Sequence, residues 1–249
     1  MDISKSVCLV TGAAKRVGRA IALEFARRGA RLIIHYRGSE SEARDTAEEC
    51  QALSGKEAIA LQADQQNPEA VQQLVDEAVE RMGRIDVLVN SAAVFYRTPF
   101  LEMPISEWDR FMAVNVRGPM LFCRAVAPHM QAHKQGLILN ICDVCGKEPW
   151  AEFVPYGVSK GALESLTMGL AKELAPCIRV NAIAPGTVLL EEDADAQEQE
   201  KRAKKESLLQ RLGSPEDVAR ACVFLAEGSD YITGALLPID GGKRLKKLG

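Results

Sequence analysis

A chain of 249 residues, 47% apolar and 26% charged, has enough apolar surface for one large α/β core or two small ones. Its net charge of −3 argues against non-specific binding to nucleic acid or an acidic membrane, and no apolar run approaches the roughly 20 residues of a membrane-spanning helix. The N-terminus, MDISKSVCLV, lacks the charged region and long apolar stretch of a secretory signal, so a cytoplasmic location is the expectation.

In chain order, KSVCLVT (residues 5–11) predicts a short buried strand. GAAKRVGRAIALEFARRGA follows, with apolar residues at Val17, Ile21, Leu23 and Phe25 and a helix stop at Gly29. RLIIHY predicts a second strand and ESEARDTAEECQALSG an exposed helix ending at Gly55. EAIALQAD reads as a strand, PEAVQQLVDEAVERMG as a helix opened by Pro68, and RIDVLVNSAA as a strand entering a turn. Residues 106–132 are predicted helical, in two pieces divided near 115–119. LILNIC then predicts a strand, YGVSKGALESLTMGLAKEL a helix, IRVNAIAP a strand, SPEDVARACVFLAEG a helix and GALLPID a last strand. The charged segment EEDADAQEQEKRAKKESLLQRL reads as a solvated helix or flap, placed past a strand end where a substrate lid would sit. The basic tail GGKRLKKLG reads as a solvated end.

Strands alternating with amphipathic helices imply βαβ units, hence a parallel sheet covered on both faces. The strands are apolar throughout, as such burial demands. No linker or repeat divides the chain, so residues 1–249 are expected to form a single domain. The seven cysteines are dispersed through apolar segments and read as buried reduced thiols. Cys142-x-x-Cys145 follows a strand instead of opening a helix and has no second such pair, so neither redox nor metal duty is assigned to it.

In a doubly wound sheet ligands bind beyond the carboxyl ends of the strands. The first predicted strand ends in Thr11-Gly12-Ala13-Ala14-Lys15-Arg16-Val17-Gly18, where Gly12 allows a tight turn and Gly18 close helix packing. The helix start offers free N–H groups to a pyrophosphate. Arg16 stands where a middle glycine is usual. The second strand ends in His35-Tyr36-Arg37-Gly38-Ser39, without the acid that would bind a ribose 2′-hydroxyl. Arg16, Arg37 and Ser39 can instead hold a 2′-phosphate, which predicts NADP(H). Ala63, Asp64 and Gln65 close the third strand, with Asp64 placed to accept from the adenine amino group. Asn90, Ser91 and Ala92 close the fourth, small enough to let the cofactor pass.

The segment CDVCGKEPWAEFVPYGVSK carries the candidate chemistry. Tyr156 and Lys160, four apart on a helix, share a face, and Asp143 ends the strand before them. A phenol with a pKa near ~10 needs a nearby cation to work as an acid–base group at neutral pH.

TGAAKRVG, Asp64, NSAA, Asn115 in VNVRGP, Tyr156-x-x-x-Lys160 and the Pro185, Gly186 and Thr187 turn together resemble the short-chain dehydrogenase/reductase family over essentially the whole chain. The resemblance implies a Rossmann-like, doubly wound three-layer sandwich with a seven-stranded parallel sheet, and a homotetramer. It also implies hydride transfer from nicotinamide to a small-molecule substrate. Tyr156 would be the proton donor, Lys160 would lower its pKa, and Asn115 would organise a proton-relay water. Where most family members carry a serine, this chain has Asp143, and no serine lies between Gly136 and Val158. An ionised Asp would repel a carbonyl oxygen that gains negative charge, and it suits a nitrogen that gains a proton or a substrate that offers N–H donors; burial that raised its pKa would instead keep it protonated.

Asp143, Arg16 and the 35–39 segment resemble the pteridine reductases, NADPH-dependent enzymes that reduce C=N bonds of pterins. Phe95 matches their aromatic that sandwiches the pterin against nicotinamide. Val188 stands where those enzymes carry a serine, and the charged segment does not match them. A carbonyl reductase of ketones or 3-oxoacyl thioesters is the enzyme alternative, and a non-catalytic NADP(H)-binding regulator the alternative of another class.

Overall fold

The computed structural model describes residues 1–189 and 195–246. Seven strands form its sheet: β1 (Val7–Val10), β2 (Arg31–Tyr36), β3 (Ala58–Gln62), β4 (Val87–Asn90), β5 (Gly136–Ile141), β6 (Ile178–Pro185) and β7 (Leu236–Ile239). All pair in parallel, in the order β3-β2-β1-β4-β5-β6-β7. Among the described residues eight α-helices join them: α1 (Arg16–Arg27), α2 (Glu40–Ser54), α3 (Pro68–Met82), α4 (Ile105–Met112), α5 (Gly118–Ala132), α6 (Val154–Glu173), α7 (Ala196–Glu206) and α8 (Pro215–Glu227).

Side-chain alternation along β1 shows why the strands read as apolar runs. Cys8 and Val10 pack with Ile21 and Phe25 of α1 and Val218 and Cys222 of α8. Val7 and Leu9 pack on the other face with Val75 of α3 and Phe122 and Val126 of α5. Each such large apolar side chain contributes roughly 1.5–3 kcal/mol by burial, so neither face can be left to water. Local signals set the helix ends. Asn67 accepts from Ala70 N (3.0 Å) ahead of Pro68, Gly55 and Gly83 close α2 and α3 in the left-handed conformation, and Ser214 with Asp217 forms a capping box on α8.

The division expected near 115–119 is not a break. α4 runs through a single π turn (Ala113–Arg117) into α5, and Gly118 N–H reaches back five residues to the Ala113 carbonyl. Pro119, which has no N–H to give to the preceding turn, follows directly on this π turn, where the backbone ladder has already changed register. The charged segment yields α7, while its residues 191–194, like Leu190 before it and tail residues 247–249, lie outside the described residues. No helix among the described residues is long and apolar enough to cross a membrane.

The connections from β1 and β4 run to opposite sides of the sheet. A crevice therefore opens beyond the carboxyl ends of these two neighbours. Thr11 spans it: its N–H donates to the Val89 carbonyl (2.9 Å), and its Oγ1 accepts from Ser91 and Ala92 N–H (3.0 and 3.1 Å).

Candidate active site

A cavity of about 1000 Å³ occupies this crevice, lined from the turn after β1 to the cavity-facing side of α7. Gly12 makes the turn possible: its φ is +62°, and a Cβ there would lie 2.8 Å from Ala92 Cα. A Cβ on Gly18 would collide with the Gly12 carbonyl, so the start of α1 packs directly on the turn. Arg16, at the usual glycine position, keeps the backbone that glycine would supply, with φ +56°. The turn therefore retains the cradle for a pyrophosphate at a helix start with no acidic side chain.

The reacting groups converge beyond β5. Asp143 has an extended backbone and opens a 3-10 turn (Val144–Gly146). One carboxylate oxygen accepts from Cys145 N–H (2.8 Å) and the other from the Tyr156 hydroxyl (2.8 Å). Gly157 and Gly161 let this turn lie against α6. Cβ atoms there would come within 3.2 Å of the Cys145 carbonyl and 3.0 Å of the Gly146 carbonyl. Lys160, buried one helical turn from Tyr156, donates to the Ile141 carbonyl (2.8 Å), and its ammonium lies 5.6 Å from the Tyr156 ring centroid.

Burial, the first cause, and the adjacent Asp143 carboxylate push the Tyr156 phenol well above its ordinary value. The lowering expected from Lys160 does not prevail in this arrangement, and the Tyr156 phenol is held in its neutral form. Burial likewise raises the Asp143 carboxyl, although Cys145 N–H, Tyr156 and the charges of Lys160 and Lys243 oppose the shift. Burial lowers Lys160.

Most of the predicted contact residues line the cavity: Gly12, Arg16, Val17 and Gly18; His35, Tyr36, Arg37, Gly38 and Ser39; Ala63, Asp64 and Gln65; and Ser91, Ala92, Phe95, Pro185, Gly186 and Thr187. Two do not. Asn90 is turned into the core, donating to Asn140 Oδ1 (2.8 Å), because β4 alternates and this position faces away from the crevice. Asn115 is buried, with its amide committed to both backbone groups of Val94 (2.9 and 3.1 Å) and to Ser159 Oγ (3.0 Å). Ser159 in turn donates to the Tyr156 carbonyl (2.7 Å). The Asn115 side chain therefore fastens the π turn to α6.

His35 lines the cavity, but its imidazole is used internally. Nδ1 accepts from Gly12 N–H (3.2 Å) and Nε2 donates to the Ala63 carbonyl (3.0 Å), and burial lowers its pKa to about 4. The Gln65 amide similarly donates to the carbonyls of Ala92 and Val114. The cysteines are all free thiols, and burial raises Cys142 to about 12 and Cys145 to about 11, which leaves them unreactive.

Phe95 stacks on Phe153 (ring centroids 5.0 Å apart, 12° between planes) and meets Tyr156 edge-on at 4.8 Å. Phe153 and Trp150, not singled out from sequence, lie in the quoted segment before Tyr156, where two aromatics in a polar loop were the available signal. Lys243 and Glu206 also line the cavity. Lys243 comes from the tail expected to be solvated, and nothing local in that basic stretch distinguishes it.

A family model described as enoyl-(acyl carrier protein) reductase matches residues 12–244. Glucose 1-dehydrogenase 2 of Bacillus subtilis is 37% identical over 98% of this chain and 96% of its own length. The 3-oxoacyl-[acyl-carrier-protein] reductase of Synechocystis is 35% identical, over 96% and 97%. A 7α-hydroxysteroid dehydrogenase structure complexed with NADH and a 7-oxo bile acid superposes with a TM-score of 0.90 at 30% identity, covering 96% of this chain and 94% of that one. With the Rossmann-like seven-stranded sheet and the Tyr156–Lys160 pair at its switch point, these matches make the chain a member of the short-chain dehydrogenase/reductase family of nicotinamide-dependent oxidoreductases.

Proposed function

We propose that this chain is an NADPH-dependent reductase acting on a C=N bond of a pterin-like heterocycle. The observation that carries the proposal is the 2.8 Å hydrogen bond joining Tyr156 to Asp143. It gives the proton donor an acidic partner where a serine hydroxyl would serve carbonyl reduction. NADPH supplies the hydride when bound.

The chain's own residues then manage the proton. Tyr156 donates to the substrate nitrogen, and the Lys160 ammonium balances the phenolate that forms. Asp143, whose pKa burial raises, can return a proton to Tyr156 across their hydrogen bond. As a carboxylate it attracts N–H groups of a heterocycle. The stacked Phe95 and Phe153 rings offer an aromatic surface to a flat substrate. Arg16, Arg37 and Ser39, at the far end of the cavity, support a 2′-phosphate site. The homotetramer belongs to the same proposal.

Relatives whose names specify carbonyl chemistry favour a second reading, reduction of a ketone or 3-oxoacyl thioester, in which Asp143 stays protonated and donates to the carbonyl oxygen. Steady-state oxidation of NADPH and NADH with dihydrobiopterin, dihydromonapterin and dihydrofolate, against acetoacetyl thioester, separates the two. Turnover of at least one dihydropterin with NADPH is expected. Turnover of the thioester alone selects the second reading, and tight NADPH binding without any turnover selects a binding-only regulator.

A further inference from the structure

Lys243 enters the cavity from the segment after β7. Gly241 and Gly242, both at positive φ (+59° and +81°), reverse the chain beyond this edge strand and pack it on residues 207–209. Leu209 N–H donates to the Gly241 carbonyl (3.1 Å), and Asp240 accepts from the N–H groups of Gly242 and Arg244 (2.9 and 3.0 Å). The turn aims Lys243 at three segments. Its ammonium lies 2.7 Å from Glu206 at the end of α7. It is 3.2 Å from Thr187 Oγ1 in the loop after β6, and 4.7 Å from the ring centroid of Trp150 in the loop before α6.

The Lys243 and Glu206 side chains are 17% and 19% exposed, against 69% and 58% for the surface pair Arg44–Glu40. Surface pairs contribute little, whereas truncating one partner of a shielded pair has a measurable cost. All four residues line the same cavity. A side chain that fastens α7, the Thr187 loop and the Trp150 loop sets the distance between them.

We infer that Lys243 is a positioning residue for the reaction: through its ion pair with Glu206 it clasps α7 and the Thr187 loop over the cavity, and so retains cofactor and substrate. The inference rests on the cavity being the hydride-transfer site, and not on the pterin substrate or the 2′-phosphate preference.

The test compares full-length wild type with Lys243→Met, Glu206→Gln, Lys243→Arg and the exchange Glu206→Lys/Lys243→Glu. Stopped-flow fluorescence measures release of NADPH and of NADH in parallel, and steady-state kinetics give KM and kcat for the best substrate. Lys243→Met and Glu206→Gln should each speed cofactor release by about tenfold and raise KM more than they lower kcat. Lys243→Arg should stay close to wild type, and the exchange should bring release back to within about threefold of it. Wild-type release from both single variants overturns the inference. So does an exchange that fails to restore retention. If Lys243→Met does not fold, Glu206→Gln and the exchange still decide. Binding of NADH alone would defeat the cofactor preference and leave the clasp to be judged on NADH.

Discussion

Replacing Asp143 by asparagine changes one charge and almost no volume. The side-chain carbonyl can still accept from Cys145 N–H, while the new amide N–H₂ faces Tyr156, which must then accept where it now donates. A hydrogen bond to a charged group contributes roughly 1.5–3 kcal/mol. At about 1.36 kcal/mol per decade, its loss from the transition state slows turnover by about 10- to 150-fold. Dihydropterin reduction should fall by that factor in kcat/KM. Ketone or oxoacyl-thioester reduction should hold or rise, because a neutral donor replaces a group that repels the developing oxyanion. The Tyr156 pKa should also move down, since the carboxylate is the second cause holding it up, after burial. The alkaline limb of the rate profile should follow it to lower pH. Profiles of kcat/KM for wild type, Asp143→Asn and Asp143→Ser, each with dihydrobiopterin and acetoacetyl thioester, measure all three effects. Dihydropterin turnover within about twofold of wild type, or an equal loss on both substrates, would refute the assignment of Asp143 to substrate choice.

Arg16→Gly removes a cation from the cofactor turn and relieves a positive φ that costs a non-glycine residue about 1–2 kcal/mol. NADPH affinity measured by fluorescence titration should weaken by about tenfold or more, on the charge-assisted scale, while NADH affinity holds and the melting temperature holds or rises by a few degrees. Equal weakening of both cofactors would deny Arg16 a part in phosphate recognition. His35 supports a pH prediction of definite sign. Its folded pKa is lowered from 6.5 to about 4 by burial, so its contribution is complete above about 6.5 and is lost as pH falls toward 4. The loss is of order 3 kcal/mol. Urea unfolding near neutral pH and again in the acid range should show wild type losing more stability than His35→Gln, and parallel losses would contradict the buried neutral imidazole.

The strands and most helices were legible because a sheet buried on both faces imposes apolar runs, and because the ends of α2, α3 and α8 carry their own stop and cap residues. The Tyr156, Lys160 and Asp143 grouping was legible for a related reason. A fixed helical spacing and a strand end place these groups without help from distant segments. Asn90 lies off the cavity, and His35 lines it with its imidazole used internally. β4 turns Asn90 inward, and the Gly12 N–H and Ala63 carbonyl claim both His35 nitrogens. Sequence position gave these residues an address near the cofactor but not an orientation.

Lys243 shows the harder limit, since every partner that gives it a role lies at least 37 residues away along the chain. The partners meet because β7 is the edge strand beside β6, which sends the chain back across the carboxyl ends of the sheet. The position also bears on Asp143, whose carboxyl burial pushes up, while the Cys145 N–H, the Tyr156 hydroxyl and, to a smaller degree, the charges of Lys160 and Lys243 oppose the shift. A serine in that place would be indifferent to such charges. An aspartate is not, and its carboxyl answers to burial, to the Cys145 N–H and Tyr156 hydroxyl it accepts from, and to both lysines.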